Sequence, residues 1–146
     1  MNDNLDINCA DRTAIVAYMG EQAVDELLAM ISDHEVEIIR QPRTGLIMMP
    51  LTDSFMSDFN LGEVLVTETV VKIEGVEGYG MVAGENPRSA LARAAAEAIL
   101  KGKISPVRTA LEALLERQES LLQEAHLLER ALTESTRVSF DLMTGA

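Results

Sequence analysis

A chain of 146 residues is the size of one domain and long enough to bury a core. Its formal charge of -12 argues against nucleic acid and anionic membrane surfaces as partners, since both would repel it. Cys9 is the only cysteine, so no internal disulfide can form, and no apolar run approaches the ~18 residues of a membrane span. No basic leader with an apolar segment is visible, and the expectation is a cytoplasmic protein with Cys9 as a spectator thiol.

Met1 to Ala10 is polar and expected to fray. Asp11 can cap a helix through Met19, Gly20 marks a break, and Glu21 to Ser32 places Val24, Leu27, Leu28 and Ile31 at helical spacing. Glu35 to Gln41 alternates Val36 and Ile38 with Glu35 and Glu37, the pattern of a strand with one wet face. Pro42 and Arg43 read as a tight connection to a second strand, Thr44 to Leu51. Its Leu46, Ile47, Met48, Met49 and Leu51 are apolar on both faces, which predicts a central strand covered on both sides. Thr52 to Asn60 reads as a loop holding Phe55 and Phe59, which either tuck onto the sheet or pack on another chain.

The centre of the fold runs from Phe59 to Ile99. Gly62 to Ile73 and Val76 to Ala83 are rich in β-branched residues and separated by Glu74-Gly75, which predicts a hairpin. Asn86 is a suitable N-cap and Pro87 a suitable first helical residue. Leu91, Ala94, Ala95, Ala98 and Ile99 then share one helix face, small enough to lie close on a sheet, until Gly102 ends the helix.

Ser105 and Pro106 restart helix. Val107, Leu111, Leu114, Gln118, Leu121, Ala125, Leu128 and Leu132 alternate at four and three, with Leu115 and Leu122 widening the stripe. A helix from Pro106 to about Ser135 would run ~45 Å, against a radius of gyration of ~15 Å for the whole domain. It must bend back or project, and its length favours an exposed contact helix through Leu121, Leu128 and Leu132. The predicted fold class is α+β: a mainly antiparallel four-stranded sheet packed by helices, with a long C-terminal helix. It forms one domain over residues 1–146, with a helical part at 1–34, the sheet and its helix at 35–101, and the long helix and tail at 105–146.

The residues alone support no reaction. His34 and His126 are the only histidines and neither has a histidine or cysteine at ligand spacing, so no metal site, cofactor or nucleophilic triad is predicted. Gly78, Gly80 and Gly84 are spaced G-x-G-x-x-x-G, with the first two inside a strand; they predict a bulge or a close backbone approach rather than a phosphate loop. Arg43 and Arg137 suit bidentate binding of an anion, and equally suit ion pairs with acidic neighbours.

The strings FNLGEVLVTE from Phe59 and EGYGMVAG from Glu77, followed by the alanine-rich Pro87 helix, resemble the PhnG family of bacterial carbon–phosphorus lyase subunits. Arg43 to Met48 and Arg137 to Phe140 agree with it. The resemblance covers roughly Arg43 to Leu100 and part of the tail. It implies a non-catalytic, accessory subunit of the lyase core complex, with PhnH-, PhnI- and PhnJ-type partners and no cofactor of its own. In that system PhnG, PhnH, PhnI and PhnL together support displacement of the base of a purine nucleoside triphosphate by a phosphonate, giving a ribose 1-phosphonate 5-triphosphate. The chain departs from the family at its end, where Phe140-Asp141-Leu142 replaces a run with two phenylalanines and a terminal arginine, and at Glu97, where aspartate is commoner. Two other readings stand beside this one: a free-standing enzyme or binding protein for a phosphorylated compound using Arg43 and Arg137, and a homo-oligomeric adaptor built on the heptad helix.

Overall fold

A computed structural model describes residues 12–102 and 106–138. Cys9, the expected caps Asp11 and Ser105, and the tail from Ser139 lie outside the described residues. A 3-10 turn at Ala14–Tyr18 leads to α1 at Glu21–Met30, then β1 at Val36–Thr52, β2 at Asp58–Ile73 and β3 at Val76–Ala83. Two further helices follow, α2 at Pro87–Gly102 and α3 at Val107–Ser135. The class is α+β, but the sheet has three antiparallel strands in the order β1-β2-β3 and not four.

The missing boundary is at Pro42. The segments expected as two strands are one continuous β1, and the pairing register shifts between Arg40 and Arg43 so that Gln41 and Pro42 bulge out. Pro42 has no N–H to offer a ladder, which an edge strand tolerates at a bulge. Opposite it the Thr69 hydroxyl donates to the Arg40 carbonyl at 2.7 Å, so the interrupted ladder keeps a hydrogen bond. The second correction concerns burial. The Thr44–Leu51 stretch is at the sheet edge and exposed throughout, not central and covered. β3 pairs with β2 only from Val66 to Ile73, so the distal half of β2 has β1 as its sole neighbour. The two strands project as a ribbon roughly 25 Å long at ~3.3 Å per residue.

The segment expected as a loop is the end of that ribbon. Asp53 Oδ1 accepts the Phe55 and Ser57 N–H groups at 2.8 and 2.9 Å, which folds a tight turn, and β2 already begins at Asp58. The β2–β3 connection is the expected two-residue turn, with Glu74 and Gly75 both at positive φ.

The core lies on one face of the sheet. Val71 and Ile73 of β2 pack there with Val16, Val24, Leu27, Ile99, Leu111 and Leu114. α2 starts where the sequence placed it, with Asn86 Oδ1 accepting the Ser89 N–H at 3.1 Å. It lies on β3 with almost no gap, because β3 presents glycine at the contact. A Cβ on Gly78 would sit 2.0 Å from the Ala94 carbonyl oxygen, and one on Gly80 would sit 2.1 Å from that of Ala90. A row of longer side chains on α2 covers the outer edge of β3. Glu97, buried and paired with Lys101 at 2.7 Å, accepts the Tyr79 N–H at 2.7 Å, and Arg93 donates to the Met81 carbonyl at 2.7 Å. That edge therefore cannot recruit another strand without displacing them.

Because the clashing atoms belong to helix backbone, neither contact can be relieved by a rotamer change. Gly78→Ala and Gly80→Ala are each expected to destabilise the protein by about 3 kcal/mol or more, at the severe end of overpacking. Gly45→Ala, where an added Cβ meets nothing within 4 Å, should be nearly neutral. Denaturant midpoints of the three variants check the contrast.

Candidate functional site

Alternation along β2 puts Val71 and Ile73 under the helices and Glu68 on the opposite, open face. There β1 and β3 bring a polar cluster around Glu68. Arg43 lies directly across the ladder and holds the carboxylate through Nε at 2.7 Å and a terminal nitrogen at 2.6 Å. The Tyr79 hydroxyl donates to it at 2.9 Å, and Arg40 approaches at 3.5 Å. The Arg43 hydrogen bond, reinforced by Tyr79, holds the Glu68 carboxyl below the usual carboxylate range. Partial burial, and then the hydrogen bond to Glu68, push the Tyr79 phenol up. The cluster is internally neutralised: Arg43 faces a carboxylate it already grips.

Arg137 sits just past the end of α3, paired with Glu134 at 3.0 Å. The structure therefore gives Arg43 and Arg137 separate carboxylate partners on different elements and does not bring them together. Of the two histidines, His34 contacts Glu74 through Nδ1 at 3.2 Å, tying the end of α1 to the β2–β3 turn. His126 lines a groove of about 560 Å³ between the 3-10 turn and α3, together with Arg12, Tyr18, Glu112, Glu116 and Glu119. Arg108 and then Arg12 hold Glu112 below its ordinary range. With three glutamates on its wall, the groove opposes an anionic ligand. Among the described residues no group of three or more His, Cys, Asp or Glu could hold a metal ion, and no helix is long and apolar enough to cross a membrane.

Apolar surface is what the structure leaves open. α3 buries Leu111, Leu114 and Leu115 in its first third, but Leu121, Leu128 and Leu132 are each more than half exposed, at 53, 64 and 61%. The ion pair of Arg117 with Glu26, in which one guanidinium nitrogen donates to both carboxylate oxygens at 2.7 and 2.9 Å, ties α3 to α1 just before those leucines. On the ribbon, Phe55 at the tip and Phe59 at the start of β2 are exposed, and so are Leu46, Met48, Met49, Met56, Leu61 and Leu65. Phe55 and Phe59 stand out in the sequence as partner candidates, whereas the exposed leucines and methionines do not, because an apolar run on both faces looks like a buried strand. The signal was there in Pro42 and Pro50: prolines inside such a run belong on an edge.

These features define a small α+β domain with neutralised polar clusters and two large apolar surfaces left open among the described residues. The model of one protein family, described as phosphonate metabolism protein PhnG, matches residues 9–145. The chain belongs to that family, and its role lies in phosphonate metabolism. No curated protein matches the chain.

The Glu68 cluster sets a pH dependence. A carboxyl held below its unfolded value of 4.5 contributes stability that is full above that pH and is lost as pH falls through the folded value. Glu68→Gln should therefore lower Tm at neutral pH. Its deficit against the wild type should shrink below pH 4.5 and vanish once the wild-type carboxyl is protonated. Thermal melts of the pair across that range read the difference directly.

Proposed function

We propose that this chain is a non-catalytic, accessory subunit of the carbon–phosphorus lyase core complex in the cytoplasm. In that complex it supports formation of a ribose 1-phosphonate 5-triphosphate from a purine nucleoside triphosphate and a phosphonate, alongside PhnH-, PhnI- and PhnJ-type subunits. Family membership supplies the pathway. The observation that carries the subunit role is the distal half of α3, where Leu121, Leu128 and Leu132 stand in water. Burying one leucine is worth roughly 1.5–3 kcal/mol, so a helix that keeps several exposed is stabilised strongly by a partner. In the complex that partner is the PhnI-type subunit; in the isolated protein a second copy takes its place. The arginines support this reading as well, since Arg43 and Arg137 each hold a carboxylate of their own chain.

Three experiments test it. The purified chain should not convert ATP or GTP with methylphosphonate, and robust turnover by the single protein would overturn the accessory role. Within a reconstituted complex, Cys9→Ala, His34→Ala and His126→Ala should each leave activity within about threefold of wild type. Leu121→Glu combined with Leu128→Glu should weaken co-purification with the PhnI-type subunit at least tenfold while leaving the thermal unfolding of the sheet unchanged. Normal assembly of that double variant would mean that the helix is not the contact.

A further inference from the structure

The ribbon carries apolar side chains on both faces. Strand alternation and the pairing of Leu46 with Leu65 and Met48 with Glu63 put Leu46, Met48 and Leu65 on one face. Ile47 and Met49, paired with Val64 and Gly62, lie on the other. Among the described residues no third layer covers either face of this two-stranded ribbon: Leu46 is 61% and Met48 52% exposed, while Ile47 and Met49 are above a third. A ribbon that merely rested on a partner would need only one apolar face and a polar back. Its end is also preorganised. The Asp53 turn, closed by the Thr52 hydroxyl on Asp58 at 2.7 Å, holds Phe55 and Met56 outward at 87 and 85% exposure, with Met56 at positive φ.

Charge selects the occupant. Between Gly45 and Leu65 the chain has Asp53, Asp58 and Glu63 and no lysine or arginine. A second copy would bring the same carboxylates, from a chain whose net charge is already -12. Its own arginines are largely committed to its own acids, Arg88 to Asp25, Arg108 to Glu112 and Arg117 to Glu26 among them.

We infer that the β1–β2 ribbon inserts between two apolar walls of a different protein chain, in a cleft whose rim is basic. The inference rests on the subunit reading above and deepens it, adding an arm distinct from the α3 contact.

The test compares the two faces in the complex reconstituted with PhnH-, PhnI- and PhnJ-type subunits. One double variant, Leu46→Asp with Met48→Asp, marks the first face; Ile47→Asp with Met49→Asp marks the second. Each should weaken assembly at least tenfold, and Glu63→Lys should weaken it and reduce its sensitivity to salt. Serine in place of aspartate at the same positions serves if a charged pair unfolds the chain, as circular dichroism and Tm will show. Sensitivity on one face alone would mean that the ribbon lies on a surface, and sensitivity on neither that it is free; both overturn the inference and leave the subunit reading standing. Self-association of the isolated chain that the same variants abolish would make a second copy the occupant and also overturn it. Failure of the wild-type chain to assemble with those subunits would remove the subunit reading and the inference together.

Discussion

The contact of α2 with β3 is the constraint on which the rest depends. Gly78 and Gly80 let helix backbone meet strand backbone, and Ala90, Ala94 and Ala98 complete the approach from the other side. Once that distance is fixed, the longer side chains of the same helix fall over the outer edge of β3, where Arg93 and Glu97 take up backbone groups that a fourth strand would otherwise use. The remaining helices pack on α2, on the 3-10 turn and on each other, and the core of Leu27, Ile73, Ile99 and Leu111 closes around it. One close contact thus sets the helix layer and closes the three-stranded sheet on its β3 side.

The same arrangement explains the exposed ribbon. β3 is short, so it supports only the Val66–Ile73 half of β2, and the helix layer follows β3. What extends beyond it is a hairpin of two strands, a unit that is marginal in water without further packing. α3 repeats the pattern: its first third belongs to the core and its remainder does not. Apolar surface of this extent on two projecting elements is the main support for the proposed subunit role.

Polar chemistry is arranged differently. Glu68 with Arg40, Arg43 and Tyr79, Glu112 with Arg12 and Arg108, and Glu26 with Arg117 are all pairs or small networks within the chain. They fix strand to strand and helix to helix at the surface, where each is worth little alone. Charge that is already compensated makes a poor anion site and a serviceable frame. Carboxylates also line the ribbon, at Asp53, Asp58 and Glu63, and the wall of the α3 groove, at Glu116 and Glu119.

The helices, the β2–β3 hairpin and the Asn86 cap were legible in the sequence, because each depends on a few neighbouring residues; Gly78 and Gly80 were narrowed there to a bulge or a close backbone approach, and the packing of α2 selects the second. The sequence also carried the family, through the order and spacing of strings from Arg43 onward. It could not determine the number of strands at Pro42, since a proline that breaks a ladder locally and one accommodated in an edge bulge have the same neighbours. Nor could it tell that Leu46 to Met49 stand in solvent: Pro42 and Pro50 point to an edge strand, but an edge strand can still be covered on both faces. Only the tertiary structure decided that, through the length of β3: burial is a property of what lies opposite, and nothing in this chain lies opposite the ribbon among the described residues.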